Sequence, residues 1–484
     1  RMAKDFIVAI ELGSSKITGM AGKKNPDGSI TILAAASEDS TSYIRKGVVY
    51  SIDKTTQGLS NIISKLKNSL QADITQVYVG IGGQSIHSVK NMVIKDLPMD
   101  AIVSQNMVNE LMDSNRNMTY PDYEIQDAIT EEYKVDLQYQ NDPVGIQASR
   151  LEGNFLNILW RRSFYRNLNK SFDNAGIAIA ETYLAPLVMA DNVLTEAEKR
   201  AGCVLVDLGA ETTTVSVYYR DKLRSIAVIP LGGDNITKDL ESLQMEACEA
   251  ERMKLKYSSA ITDVADIDPT AILPIDSNRS VESRRFIEVV EARTLEIIEN
   301  VKSFIPSEYI DKLLGGIIIT GGGSNMTNIE KAFREITGVE KIRIAKFVTL
   351  NINSKDSKPE LRHDGTMNTI LSLIARGDMN CAGNPFGNSL FDNQQFNAAF
   401  TTGTTNGTTT TQPNATTPHE TEEERTKREE KERIAKEEAE RIKQEEETRK
   451  AKEEEERKKN SPIHRFFGSL KQFGRSLVEP ENNE

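Results

Sequence analysis

Two runs far apart in the chain place the same kinds of residue in the same order. The first is FIVAIELGSSKITGM at residues 6–20, and the second is GCVLVDLGAETTTVSVY at residues 202–218. Each is an apolar, strand-like run that ends in a carboxylate, Glu11 or Asp207. A leucine, a glycine and a hydroxyl-rich turn follow, and then a second strand-like run. A tight glycine turn exposes backbone N–H groups in a concave nest that suits phosphate oxygens. Gly13, Ser14 and Ser15 form that turn in the first run; Gly209, Ala210, Glu211 and Thr212 form it in the second, with Thr213 adding a hydroxyl. Lys16 supplies a point charge for a phosphate. A carboxylate beside phosphate is repulsive unless Mg2+ lies between them, held partly through water, which makes Glu11 and Asp207 the expected metal-side residues. One such hairpin is weak evidence. Two, in phase about Glu11 and Asp207, point to a nucleotide gripped from both sides.

A third run, GGIIITGGGSNMTNIE at residues 315–330, reads as strand, glycine turn and helix start. Gly321, Gly322 and Gly323 let the backbone approach a ligand closely. The helix N-terminus beyond them favours anionic or polar groups. Alone, it would suit an ordinary turn in any α/β protein.

These turns need a layered scaffold. From Lys4 to about Arg376, apolar runs alternate with helical patterns and glycine turns, which predicts an α/β fold. From about Gly377 to Pro418 the apolar spacing stops and Thr, Gly, Asn and Pro dominate, as in a flexible linker. Residues 420–459 are almost entirely charged, with i,i+4 pairs such as Glu429–Arg433 and Glu445–Arg449. At ~0.2–0.5 kcal/mol per pair these fit a solvated single helix, as a spacer about 60 Å long; a disordered charged tail fits equally. Residues 461–478, SPIHRFFGSLKQFGRSLV, open with a helix start signal at Ser461-Pro462. Ile463, Phe466, Phe467, Leu470, Phe473 and Leu477 fall on one helical face, with Arg465, Lys471 and Arg475 as the basic complement. That pattern suits a helix lying in an anionic headgroup layer. Docking on its own core or in a partner's groove are the competing readings.

Composition bounds the rest. The 484-residue chain carries a net charge of -12, which argues against bulk nucleic-acid binding. Cys203, Cys248 and Cys381 are odd in number and widely spaced, so a reducing cytoplasm is expected and no disulfide framework. His87, His363, His419 and His464 lack metal-ligand spacing. Residues 1–6 lack a signal-peptide core, with Met2 the expected start, and no run is long enough to span a bilayer.

At the three glycine turns the chain resembles FtsA, the actin-like family of bacterial cell division. The resemblance covers about Asp5 to Arg376 and the C-terminal tip. Residues 11–16 and 207–213 resemble the family's two phosphate motifs. Gly321, Gly322, Gly323 and Ser324, with Met326, resemble its adenosine motif. Glu251 and Lys254 in ERMK, with Ser258, resemble the helix that contacts ribose and adenine. Gly232 and Gly233 in LGGD resemble the turn beneath the phosphates. Residues 84–160, with EYKVD at 132–136 and NDPVG at 141–145, are similar to the family's extra subdomain. Residues 176–194 and 364–376 resemble the two helices connecting the lobes.

The resemblance implies an α/β, actin-like two-lobed ATPase fold with the FtsA-type extra subdomain, followed by a linker, a charged helix and an amphipathic C-terminal helix. Lobe 1 would comprise residues 4–83 and 163–200, the extra subdomain 84–162, lobe 2 residues 201–361, and a returning helix 362–377. The linker would occupy 378–419, the spacer 420–460 and the membrane helix 461–478. The implied cofactors are ATP and Mg2+. The implied function is a scaffold that polymerises and tethers the tubulin-like protein FtsZ to the cytoplasmic face of the inner membrane, recruiting other division proteins through the extra subdomain. The FtsZ C-terminal peptide would dock near residues 283–303, where Arg284, Arg285 and Arg293 offer positive charge.

Two departures from the family's pattern predict nucleotide binding with slow or absent turnover. Ala210-Glu211 replaces a common Gly-Gly, and Ala185, before Pro186, stands where an amide or carboxylate orients attacking water. Glu181 lies nearby but is not an obvious substitute. The alternatives are an actin-like ATPase of another envelope machine and a sugar-kinase-branch phosphotransferase. The kinase would need a catalytic Asp aimed at a hydroxyl, and no candidate stands out.

Overall fold

The computed structural model describes residues 5–355 and 359–383. The expected linker beyond 383, the expected charged spacer and the expected helix at 461–478, with Ile463, Phe466, Phe467, Leu470, Lys471, Phe473, Arg475 and Leu477, lie outside the described residues.

β1 (Ile7–Leu12) is apolar along both faces, as a strand covered on both sides must be. It pairs antiparallel with β2 (Lys16–Lys24), which pairs antiparallel with β3 (Ile30–Asp39). A small ribbon follows, β4 (Ile44–Arg45) and β5 (Val48–Val49). Helix α1 (Ile52–Leu70) then buries Leu59, Ile62, Ile63, Leu66 and Leu70, a helical-period stripe laid against this sheet. The chain returns as β6 (Val77–Ile81), parallel to β1.

The next segment is an insertion with its own core. It comprises β7 (His87–Asp96), α2 (Gln105–Arg116), β8 (Tyr123–Val135), β9 (Gln138–Gln140) and β10 (Arg150–Arg161), all paired antiparallel in the order β7-β10-β8-β9. Leu111, Tyr133, Leu151 and Phe155 are among its buried residues. A buried Asn115–Asn157 amide pair, bonded in both directions at 2.7 and 2.9 Å, satisfies its own polar groups there.

After α3 (Arg162–Asn174), β11 (Ile179–Leu184) joins the first sheet parallel to β6. α4 (Ala185–Val193) and α5 (Glu196–Ala201) lead to β12 (Cys203–Leu208), β13 (Thr213–Tyr219) and β14 (Lys222–Ile229). There follow α6 (Gly233–Glu241), α7 (Ala247–Tyr257), the ribbon β15 (Ile272–Pro274) and β16 (Ser280–Glu282), α8 (Ser283–Phe304), α9 (Ser307–Ile310), β17 (Gly316–Thr320), α10 (Ile329–Thr337), β18 (Ile342–Ile344), β19 (Ile352–Ser354) and α11 (Asn368–Arg376).

The order β11-β6-β1-β2-β3 in the first sheet recurs as β18-β17-β12-β13-β14 in the second. The pairing directions match as well: parallel up to β1 and β12, antiparallel after them. The repeat seen in the two sequence runs is therefore a repeat of whole half-molecules. α4 and α11 pack together between the halves. Arg343 ties α5 to β18 through Glu198, at 2.8 and 2.9 Å, and reaches the Val193 carbonyl at 2.9 Å. Asn368, at the start of α11, donates to Thr320 Oγ1 and the Ala345 carbonyl, each at 2.9 Å.

Several expectations need correction. The segment at 176–194 is not one helix: β11 occupies its first half and α4 its second, and Glu181 lies on the strand, accepting from the Tyr183 hydroxyl at 2.6 Å. Residues 352–354 pair parallel with β3, so the chain re-enters the first half before residue 361. The insertion pairs its β7 with β14 through His87 and Ala227, extending the second sheet to nine strands. After Gly321 the chain makes only a short turn at Gly322–Asn325. α10 begins at Ile329, because Asn328, with φ 60°, interrupts the helical path.

The last described residues strap back onto the first sheet. Cys381 donates its N–H to the Phe6 carbonyl at 2.8 Å and accepts from the Thr75 N–H at 2.9 Å. Tyr78, on β6, donates to Asp378 at 2.8 Å and accepts from the Met379 N–H at 2.8 Å. Among the described residues, no helix is long and apolar enough to cross a membrane.

Candidate functional site

Both hairpin turns close in the same way. The Gly13 N–H donates to the Lys16 carbonyl at 3.0 Å, and the Gly209 N–H donates to the Thr212 carbonyl at 2.9 Å. They line a single cleft of about 510 Å³ between the two sheets. The first turn is braced by Ser40, which donates to the Gly13 carbonyl at 2.6 Å. The second rests on the Gly232–Asp234 turn, whose Gly233 and Asp234 N–H groups take the carbonyls of Gly209 and Ala210 at 3.0 and 2.7 Å. Thr213 donates to the Leu231 carbonyl at 2.9 Å, tying the same two segments.

Gly321 has φ +83°, and a Cβ there would enter Asp207 Oδ1 and the Leu208 carbonyl. Only glycine lets this third turn lie directly on the end of β12.

Glu11 and Asp207 open onto the cleft but are enclosed by protein elsewhere. Burial pushes Glu11 up to about 7, helped by the charge of Asp207 and opposed by Lys16. Burial likewise pushes Asp207 up to about 6. Lys16 is held below its usual range, first by burial and then by Arg362, against Glu11 and Asp364. Two poorly solvated carboxylates and a poorly solvated ammonium around one space are under-compensated charges. A divalent cation with phosphate oxygens would compensate all three, so the residues fit Mg2+ and phosphate.

Further along the cleft, Lys254 Nζ bonds the Gly233 carbonyl at 3.0 Å, Thr237 Oγ1 at 2.8 Å and Glu251 at 2.7 Å. Glu251 also accepts from Thr237 at 2.5 Å. Ser258 lines the cleft, and its hydroxyl is buried without a hydrogen-bond partner among the described residues. Beyond it the wall turns apolar at Ile297, Ile298, Met326 and Phe333. The cleft thus has a charged, glycine-lined end and an apolar end, joined by polar groups.

Of the residues singled out from the sequence for nucleotide or metal, all but Glu211 and Ser324 line this cleft. The Glu211 side chain is not part of the cleft lining; it accepts from the Lys46 N–H at 2.5 Å. Ser324 is buried and spends its hydroxyl on the Gly321 carbonyl at 2.6 Å, bracing the turn from behind. Missed from the sequence were Gly47, Gly82, Gly83, Thr366 and Thr369. The Gly82-Gly83 pair directly after an apolar strand run carried a signal; the threonines at α11 did not.

Arg284, Arg285 and Arg293 do not act as one basic patch. Arg293 is half-buried and committed to Asp239 at 2.6 and 3.1 Å, with Glu296 also on its guanidinium. Arg284 pairs with Glu288 one turn along at 3.1 Å. Arg285 is exposed and shows no ion pair among the described residues.

The sequence profile described as "Cell division protein FtsA" matches residues 204–362, and that of the "SHS2 domain inserted in FTSA" matches residues 83–159. The cell division protein FtsA of Porphyromonas gingivalis is 32% identical over 352 residues, covering 71% of this chain and 74% of its own. The chain belongs to the FtsA family of cell division proteins. The FtsA of Neisseria meningitidis is 29% identical, over 71% of this chain and 88% of its own. The inserted SHS2 domain is the segment from β7 to β10, which separates the FtsA family from plain actin homologues. Among solved structures, a type IV pilus biogenesis complex, PilM-PilN, matches with a TM-score of 0.53 at 14% identity, over 76% of this chain and 98% of that one. That likeness shows the shared actin-like fold. FtsA membership sets aside both the sugar-kinase and the other-machine alternatives.

Proposed function

We propose that the chain is an ATP-binding division scaffold that self-associates into actin-like polymers and tethers FtsZ to the cytoplasmic face of the membrane. The observation that carries this reading is the pair of matching hairpin turns closing on one cleft, with Glu11 and Asp207 half-buried in its lining. Glu11 and Asp207 would hold Mg2+, partly through water. Gly13, Ser14, Ser15, Lys16, Gly209, Ala210 and Thr212 would hold phosphates, and Glu251, Lys254 and Ser258 would hold ribose. Turnover is slow or absent. Ala185 and Pro186 give the start of α4 no polar side chain to orient a water, and Glu181 lies outside the cleft lining. Equilibrium titration with a fluorescent ATP analogue should show binding that weakens when Mg2+ is chelated. Robust ATPase activity in the purified chain, abolished by Asp207→Ala, would overturn slow turnover.

The helix at 461–478 supplies the membrane contact in this reading. One short helix binds weakly, so attachment depends on many copies acting together. The full chain should co-sediment with anionic vesicles, and a chain ending at Lys459 should not; equal co-sedimentation sinks the anchor. Later division proteins are recruited through the SHS2 insertion. The FtsZ C-terminal peptide docks along α8, with Arg285 as the available charge. Arg285→Glu should weaken peptide binding several-fold, as expected for one exposed charge of about 0.2–1 kcal/mol. Arg293→Glu is the wrong probe, because it breaks the Asp239 pair and unsettles the packing of α8 on α6.

A further inference from the structure

The turn between β4 and β5 is held by both phosphate loops at once. Lys46 and Gly47 have φ of 50° and 74°. The Gly47 N–H donates to Ser14 Oγ of the first loop at 2.8 Å, and the Lys46 N–H donates to Glu211 Oε2 of the second at 2.5 Å. The Lys46 carbonyl accepts from the Gln84 N–H at 2.8 Å. The Gln84 carbonyl accepts from the Trp160 indole N–H at 3.2 Å. Gly47 and Gly83 touch main chain to main chain, and a Cβ on either would enter the other's backbone. Trp160 closes β10, the central strand of the insertion; it is 1% exposed and is the only tryptophan in the chain.

We propose that Glu211 is a latch across the cleft, tying the second phosphate loop to the Lys46–Gly47 turn of the opposite half, and that Gln84 relays the state of this tie to Trp160 in the SHS2 insertion. A carboxylate on a backbone N–H is a charge-assisted bond, among the stronger single hydrogen bonds. It joins two segments that line opposite walls of the cleft, so the halves separate only when it breaks. A glycine at 211 would offer no side chain for this tie. The Glu211 carboxylate, which would oppose phosphate if it turned into the cleft, is instead committed to the Lys46 N–H and holds the cleft shut. The latch itself needs no ligand; its effect on nucleotide release rests on the nucleotide reading above.

The test uses the full chain as wild type, Glu211→Ala and Glu211→Gln. The glutamine keeps an amide oxygen able to accept from Lys46. Without nucleotide, acrylamide quenching of Trp160 should at least double in Glu211→Ala and stay near wild type in Glu211→Gln. Release of a fluorescent ATP analogue, chased with unlabelled ATP, should be about tenfold faster in Glu211→Ala. Unchanged quenching together with unchanged release overturns the latch. If no form of the chain takes up ATP, the nucleotide reading fails, and the quenching result alone decides the latch.

Discussion

Gly321→Val should abolish ATP retention and lower stability by about 2–6 kcal/mol, while Gly322→Ala one residue on should leave stability near wild type. Two costs add at 321. The residue holds φ at +83°, a conformation that a β-branched side chain adopts only with strain of about 1–3 kcal/mol. A Cβ there also meets Asp207 Oδ1 and lies 2.6 Å from the Leu208 carbonyl oxygen, so β12 must shift, at a typical overpacking cost of about 1–3 kcal/mol. The shift moves Asp207 itself, the residue proposed for the metal side. At Gly322 the nearest atom to an added Cβ is Thr366 Cγ2, at an ordinary 3.7 Å. Urea midpoints and fluorescent-ATP titration measure the two outcomes. Equal behaviour of the two variants would sink the argument that the glycine turn seats on Asp207.

Neutralising a cleft carboxylate should stabilise the ligand-free chain and weaken Mg2+-dependent ATP binding together. Glu11 and Asp207 rise from ordinary values of 4.5 and 3.8 to about 7 and 6 in the folded chain. A group that holds its proton more tightly when folded stabilises the fold at low pH and loses that contribution as pH rises through the folded value. Ligand-free stability should therefore fall between about pH 4 and 7, by on the order of 2 kcal/mol per carboxylate. Glu11→Gln should flatten part of this slope and raise the melting temperature at pH 8. Saturating Mg2+ and ATP should flatten it in the wild type, because a cation favours the charged forms. The same substitution should cost about 10–100-fold in Mg2+-dependent ATP affinity, as for a carboxylate that acts on a metal through water. Thermal melts across pH 4–8, with and without Mg2+ and ATP, supply the readout. Ligand-free stability that climbs over this range would contradict the burial of both groups.

The two hairpins could be read because each is local: strand, carboxylate and glycine turn lie within a few residues. Their repetition pointed to two turns facing one space, and both line one cleft. The halves repeat beyond the hairpins, through β6 and β17 and through β11 and β18, and this was hidden because those pairings join residues far apart in the chain. The attachment of the insertion to β14, through the His87–Ala227 pairing, the Ser88 hydroxyl on the Ile226 N–H and the Arg224–Glu131 ion pair, has no composition signal. The direction of the Glu211 side chain was also out of reach, since its partner is a backbone N–H, which every residue but proline offers. Ser324 misled for a similar reason. A hydroxyl in a glycine turn serves the turn as readily as a ligand.

The strap at residues 378–383 has a mechanical consequence. Cys381 is hydrogen-bonded to Phe6 and Thr75, beside the starts of β1 and β6, and those strands run on to the turns at Gly13 and Gly82–Gly83 in the cleft wall. Tension applied through the chain beyond Gly383 therefore enters the protein along two extended, stiff strands whose far ends meet in the cleft. A pull on the tail is delivered lengthwise to the phosphate turns. Load from outside thus has a route to the chemical centre through these hydrogen bonds, beside the covalent one through α11.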